Sequence, residues 1–289
     1  MYYLIMNPAA GNGLAKSVCD EVKKVLKEKG IPFEVLVTRQ CGHGEELARE
    51  AVRKNAEKIL VIGGDGTVSE VVRGLNGTGV PMGIIPAGTG NDFIKTLQLP
   101  SEPMKALEVA LTGRPRPTDA GVINGQAFAN ECGTGFDVSV LDYAQKAKKV
   151  VKGILPYLYG VICTIIHYKS TRLTYTLDDG REVTEDVLVF AAGNGRIIGG
   201  GICVCPEAVP DDGNFDVVIV RDVKRAKLPL YLVKLLMGKI LTFPETVHMK
   251  ARKIRFSCKG MRVNIDGEIQ QMDSAELSLA AGGLSIVRP

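Results

Sequence analysis

Apolar residues follow two rhythms in the first third of the chain. Short apolar runs at Tyr2 to Met6, Phe33 to Thr38, Lys58 to Ile62 and Met82 to Ile85 read as strands. Between them, apolar positions recur at helical spacing, as in Val18, Cys19, Val22, Val25 and Leu26 within Ala15 to Lys29. Further helices are predicted at about Glu45 to Lys54, after Thr67, near Asn91 to Leu97 and over Pro103 to Thr112. Repeated strand and helix units predict a doubly wound α/β domain, a parallel sheet with helices on both faces. Gly113-Arg114-Pro115-Arg116-Pro117 breaks the pattern, and a domain boundary is expected near Pro117. Beyond it the chain reads mainly as strands: Leu173 to Leu177, Val183 to Ala191, Phe215 to Val220, Lys253 to Cys258 and Arg262 to Ile265. Helical interruptions are predicted at Val138 to Lys149 and Leu228 to Leu241. The expected division is therefore an α/β domain over 1–117 and a β-rich domain over 118–280.

Three glycine-rich turns sit at carboxyl ends of the predicted parallel strands, where such sheets bind ligands. They are Asn7-Pro8-Ala9-Ala10-Gly11-Asn12-Gly13, Gly63-Gly64-Asp65-Gly66-Thr67, and Pro86-Ala87-Gly88-Thr89-Gly90-Asn91-Asp92-Phe93. Glycines let bare amides approach an anion, and a helix start adds unpaired N–H groups. Asp65 would repel a phosphate unless a divalent cation bridged the two. Magnesium does this, taking one or two carboxylates together with substrate phosphates. Taken alone, the Asp65 turn reads equally well as a tight turn with a self-bonded aspartate. Three such turns at one sheet end favour a polyphosphate cradle. The P-loop pattern is missing, and Lys16 stands where a dinucleotide fingerprint needs its third glycine.

Composition narrows the setting. The 289 residues suffice for two domains, and the net charge of +4 comes from the part of the chain after residue 140. Basic stretches there suit anionic lipid, and no nucleic-acid reader accompanies them. The seven cysteines and three histidines share no zinc spacing, and the thiols read as reduced. Tyr2 to Met6 runs into Asn7-Pro8 like a first strand rather than a leader, so the expected address is cytoplasmic. The most apolar run, Gly153 to Ile166, contains Pro156 and falls short of the ~20 residues needed to span a bilayer. It suits a buried helix or a surface that dips into lipid headgroups.

The set of motifs resembles the diacylglycerol kinase catalytic domain family, which includes bacterial lipid kinases, ceramide kinases and sphingosine kinases. The matches run nearly end to end: Asn-Pro-x-x-Gly, Gly-Gly-Asp-Gly-Thr, Gly-Thr-x-Asn-Asp-Phe, Asp119, Gly133-x-Gly135-Phe136-Asp137 and Asp266-Gly267-Glu268. The resemblance implies an NAD kinase-like first domain, completed by about 281–289, and a C-terminal β-sandwich, with the active site in the cleft between them. It implies ATP and Mg2+ as cofactors. ATP would lie against Asn7, Pro8, Ala9, Ala10 and Gly11, against Thr38, against Gly63, Gly64, Gly66, Thr67, Val68 and Ser69, and against Thr89. Asp65 would act through magnesium, and Asp92 and Asp119 would complete the set around the nucleotide. Glu268 falls at the family's general base. A second, structural magnesium would be held by Asp212 with carbonyls of Val209 and Asn214.

The substrate implied is a lipid at the membrane surface, met by peripheral contact, and a homodimer is compatible with the sequence. Diacylglycerol, phosphatidylglycerol, ceramide, a sphingoid base and a polyprenol all stay open as acceptors. The rival readings are an NAD or sugar kinase-like phosphotransferase and a non-catalytic nucleotide- or lipid-binding module. Many members carry a basic residue where this chain has Asn12, and Lys16 lies one helical turn further on.

Overall fold

The computed structural model describes residues 1–136, 138–140, 143, 160, 163, 164, 167 and 169–289. The expected helix over 138–149, Asp137 and the apolar run 153–166 lie largely or wholly outside them.

Strand β1 (Tyr2–Met6) pairs in parallel with β2 (Phe33–Val37) on one side and β3 (Lys58–Gly63) on the other, and β3 pairs in parallel with β4 (Pro81–Pro86). Side chains alternate across this sheet because successive strand residues point to opposite faces. Leu4, Met6, Leu60, Ile62 and Ile85 pack on one face against α1 (Leu14–Glu28) and α5 (Pro103–Thr112). Tyr3, Ile5, Ile59, Val61 and Ile84 pack on the other, against α2 (His43–Arg53) and α3 (Asp65–Leu75). Both helical layers follow from the sequence repeat: α1 buries Ala15, Val18, Cys19, Val22 and Leu26, one apolar stripe of an amphipathic helix. The strand order β2-β1-β3-β4 reverses between β1 and β3. In such sheets ligands bind beyond the carboxyl ends at this reversal. A short helix, α4 (Asp92–Thr96), follows the loop after β4.

Gly113 to Pro117, read from sequence as a break, instead belong almost wholly to strand β5 (Arg114–Ile123). Prolines fit here because residues 114–118 pair only with the last strand, so the other edge asks nothing of their missing N–H groups. β6 (Gln126–Phe128) hairpins onto the far end of β5.

The described strands that follow pair antiparallel with one another, as a β-sandwich requires. β9 (Val183–Gly193) and β14 (Lys253–Ile265) are bridged by β7 (Glu131–Gly135) at one end and β8 (Thr171–Leu177) at the other. They enclose a core containing Phe128, Phe190, Phe215, Phe256 and Val263. Two short strands, β10 (Ile197–Ile198) and β11 (Ile202–Cys203), form their own ladder, and β12 (Phe215–Arg221) extends the main sheet from β9 to β13 (Thr246–Ala251). The helix predicted over Leu228 to Leu241 is α6 (Leu228–Leu236); it stops where Gly238 takes a left-handed φ of 69°.

The final strand, β15 (Glu268–Arg288), joins the two halves. Its start pairs antiparallel with β14, and its end, at Ser285 and Ile286, pairs in parallel with Pro81 and Met82 of β4. One strand therefore joins the sandwich to the nucleotide-type sheet. Among the described residues no helix is long and apolar enough to cross a membrane.

Candidate functional site

The three glycine turns meet at the sheet reversal, and their backbones touch. A Cβ on Gly88 would lie 2.4 Å from Gly64 Cα, and one on Gly11 would lie 2.2 Å from the Ala87 carbonyl oxygen. Gly11 also has a left-handed φ of 59°, so the position requires glycine twice over. Backbone bonds tie the turns to one another: the Asn7 amide donates to Ile62 O at 3.1 Å and the Ala87 amide to Gly63 O at 2.8 Å. Asn7 Nδ2 donates to Thr67 Oγ1 at 3.1 Å, while Asn7 Oδ1 accepts from the Ala9 amide and closes the first turn. Thr38 is buried at the end of β2, its amide donating to Met6 O. In the third turn Asn91 clamps Gly88 by both its carbonyl and amide groups. Thr89 and Gly66 are exposed, Pro8 and Ala10 half-buried, and Ser69 is buried in α3. Lys16 is exposed on the first turn of α1.

Asp65 stands at the first residue of α3, where the helix dipole favours an anion. Its Oδ1 accepts amides of Asp92 at 2.6 Å and Phe93 at 3.3 Å, at the start of α4. Burial first, and the neighbouring Asp92 second, still push its carboxyl above the usual range. The site is thus short of positive charge around Asp65. Asp92 is differently placed: it is 4% exposed, pairs with Lys95 Nζ at 2.9 Å, and accepts the Gly200 amide at 2.6 Å. The Gly199 to Gly201 loop of the second half thereby closes onto the first.

Below these loops lies a cavity of about 300 Å³. Asp65, Val68, Gly90 and Asp92 line it from the α/β half; Asn130, Glu131, Asn264, Asp266 and Gly267 form polar wall from the sandwich. Apolar wall comes from Phe136, Val140, Val189, Ile202, Leu232 and Leu235. Asp266 organises the polar part, since its carboxylate accepts the amides of Ala129, Asn130 and Glu131. Asn264 Oδ1 accepts the Gly267 amide and sets the turn that precedes Glu268.

Glu268 is not among the lining residues. Its Oε2 accepts from Arg73 Nη2 at 2.8 Å, on the last turn of α3. Asp65 and Glu268 are therefore carried by one helix, directly at its start and through Arg73 at its end. Glu70, buried between them, accepts the amides of Gly42 and Gly44 at 2.8 Å each and caps α2. Cys41 lies alongside, its thiol pushed up first by the Glu268 carboxylate and then by burial.

The remaining expected ligands lie elsewhere. Asp119 is 3% exposed and absent from the cavity lining; its Oδ2 accepts the Gly213 amide at 2.8 Å and its Oδ1 the Gly282 amide at 2.7 Å. It ties the 209–214 loop to β15. In that loop Asp212 Oδ1 accepts the Asn214 amide and Oδ2 pairs with Lys250 Nζ, while the Val209 carbonyl accepts the Asp212 amide. For the residues there to take a divalent ion, the Lys250 ammonium, its side chain 43% exposed, would have to leave Asp212 Oδ2. At Asp65 the residues do fit one: the carboxylate has backbone N–H partners, a raised pKa and a glycine, Gly90, whose added Cβ would come within 2.8 Å of Oδ2.

Sequence reasoning missed Arg73, Lys95, Asn264 and the anchoring role of Asp266. Asp266 stood inside a quoted motif, but Arg73 reads as one polar position on an amphipathic helix, with no local signal of its partner.

An α/β domain of this strand order, with three fused glycine turns facing a cavity walled by a β-sandwich, defines a two-domain nucleotide-type phosphotransferase fold. Comparison with known proteins gives the family. Residues 1–123 match the diacylglycerol kinase catalytic domain, and residues 130–288 match the YegS C-terminal NAD kinase beta sandwich-like domain. A diacylglycerol kinase of Mycobacterium tuberculosis is 30% identical over 99% of this chain and 94% of its own length. A probable lipid kinase YegS-like protein of Chromohalobacter salexigens is 31% identical over 91% of this chain and 86% of its own. The crystal structure of a candidate diacylglycerol kinase from Bacillus anthracis superposes with a TM-score of 0.80 at 27% identity, covering 100% of this chain and 96% of that one. The chain belongs to the diacylglycerol kinase catalytic domain family, a family of lipid kinases.

Proposed function

We propose that this protein transfers the γ-phosphoryl group of ATP to the hydroxyl of a membrane lipid, with diacylglycerol the leading acceptor, working as a peripheral enzyme at a cytoplasmic membrane face. The observation that carries this reading is the two-sided cavity: Asp65 and glycine backbone on one wall, a cluster of apolar side chains on another. Its volume is at the low end for ligand pockets. It suits the hydroxyl end of a lipid and the first part of its chain rather than a whole lipid.

Phosphoryl transfer depends chiefly on positioning and charge neutralisation. The fused glycine turns offer backbone N–H groups and no side chains to crowd a triphosphate, with Thr67 and Asn7 holding their shape. Asp65 would hold magnesium, which when bound neutralises phosphate charge. The acceptor oxygen forms a bond to the γ-phosphorus as the bond to the bridging oxygen breaks, and ADP departs. Glu268 stands outside the cavity lining and takes the hydroxyl proton on condition that the acceptor hydroxyl reaches from the cavity to it; Arg73 holds one of its oxygens and leaves the other as acceptor. Apolar side chains of α6 and the sandwich exclude water, so the lipid is preferred to hydrolysis.

Incubation of the purified full-length protein with labelled ATP and extracted membrane lipids tests the proposal. Label in the organic phase supports it; label confined to NADP or a sugar phosphate overturns it. Parallel reactions with each purified lipid, read by mass spectrometry, decide the acceptor.

A further inference from the structure

Helix α6 has two apolar faces. Leu228 and Tyr231 are buried, and Leu232 and Leu235 line the cavity. On the opposite stripe Leu230, Val233 and Leu236 are 56%, 53% and 64% exposed, continued by Met237 at 59%. A helix that covers a core on one side ordinarily presents polar residues on the other. Among the described residues, four of the nine exposed large hydrophobic side chains fall within these eight positions, which is a patch rather than scatter.

The charge along this stretch of the chain is of one sign. Residues 223–244 contain Lys224, Arg225, Lys227, Lys234 and Lys239 and no aspartate or glutamate. Lys227 pairs with Glu245, while Lys224 and Lys239 are exposed on either side of the helix.

We propose that the outer face of α6 docks on an anionic lipid bilayer. Leu230, Val233, Leu236 and Met237 enter the headgroup and acyl boundary, and the flanking lysines meet lipid phosphates. Interfacial helices bind in this way, by apolar area together with attraction to anionic lipid. The inference deepens the lipid kinase reading and rests on it for its purpose: the helix that enters the bilayer is also a wall of the cavity, so a lipid would pass from one to the other with little exposure to water. A second copy of the chain suits the patch less well. Two-fold pairing would set each lysine cluster near its twin. A nine-residue helix also presents far less than the ~800 Å² per partner of a standard interface.

Co-sedimentation of the full-length protein with vesicles of phosphatidylcholine, alone or mixed with phosphatidylglycerol, tests the docking. The wild type should bind the anionic vesicles and largely ignore the neutral ones. Leu230→Glu and Leu236→Glu should each lower the partition coefficient about tenfold or more, the loss expected when a leucine can no longer be buried. Lys224→Gln and Lys239→Gln should each lower it roughly fivefold, less at high salt. None of these variants should change thermal stability or phosphorylation of a short-chain lipid dispersed in detergent. Unchanged vesicle binding by the leucine variants overturns the proposal, as does a wild-type dimer that Leu236→Glu dissociates. If the leucine variants lose vesicle binding but no lipid is phosphorylated, the docking stands and the kinase reading fails; the reverse result removes the docking alone.

Discussion

Arg73 and Glu268, 195 residues apart in the chain, form an ion pair of 2.8 Å between the last turn of α3 and the first residue of β15. The guanidinium side is 9% exposed and the carboxylate side 34%, so the pair is partly shielded from water. It is the direct tie between the helix that presents Asp65 and the strand that presents the proposed base. Replacing Arg73 by Gln should leave Glu268 free to wander. The expected cost in stability is about 1–2 kcal/mol, the low end because one partner is a third exposed. The expected fall in kcat is between about ten- and a hundredfold, with KM for ATP nearly unchanged, as befits loss of orientation. A double-mutant cycle with Glu268→Gln should show the two changes to be strongly non-additive.

Glu268→Gln keeps the shape and an oxygen to accept from Arg73 but removes the proton acceptor. Thermal stability should fall by about 1–2 kcal/mol, because the Arg73 guanidinium loses its counter-charge, while lipid phosphorylation falls roughly 10²- to 10⁴-fold. ATP binding, measured by calorimetry, should persist. Undiminished turnover would remove Glu268 from the reaction.

Asp65 couples function to a stability penalty. Its folded-state pKa is raised, by burial first and Asp92 second, so the native protein holds this proton more tightly than the unfolded chain. Stability therefore falls as pH rises from the ordinary carboxylate value through the raised one, and the penalty persists at neutral pH. Asp65→Asn keeps the acceptor for the Asp92 and Phe93 amides and drops the charge. Its melting temperature should exceed that of the wild type at pH 7, with the gap closing below about pH 4, where both forms are neutral. Magnesium should raise the melting temperature of the wild type and not of the variant. An Asn variant less stable at pH 7 would contradict this account.

Gly88→Ala tests the fusion of the glycine turns. The new methyl would meet Gly64 Cα at 2.4 Å, a side-chain carbon against backbone, so one turn must move. Destabilisation of about 1–3 kcal/mol is expected from overpacking, together with a raised KM for ATP.

Asp119→Ala separates a structural role from a nucleotide role. The amides of Gly213 and Gly282 would lose their acceptor, at about 1–3 kcal/mol each. The folded fraction should keep its KM for ATP. A selective rise in that KM, without loss of stability, would return Asp119 to the nucleotide.

Much of the architecture was written locally. The alternation in β1 and β3, the stripe in α1, and glycine turns placed at strand ends are read within windows of a few residues, because backbone geometry sets their periods. Strand limits in the sandwich were nearly as plain, although Lys253 to Cys258 and Arg262 to Ile265 proved to be one bulged strand, β14. Where a carboxylate finds its partner was not legible in the same way. Asp119, Asp212 and Glu268 each sit in a turn-like or strand-edge context that fits ligand binding and structural bonding equally. Their partners, Gly282, Lys250 and Arg73, lie far along the chain.

The apolar length of α6 shows the same limit. Its residues repeat at helical spacing all round, so the sequence alone predicts a helix without saying which face is covered.

What the sequence determined by itself was the menu of local elements and the clustering of glycines and carboxylates at sheet ends, because steric and hydrogen-bonding rules act between near neighbours. Only the tertiary structure decided which charges meet, which face of α6 stays exposed, and how β15 locks the sandwich to the parallel sheet. Those outcomes depend on burial and on contacts between distant segments, which exist only once the chain has closed upon itself.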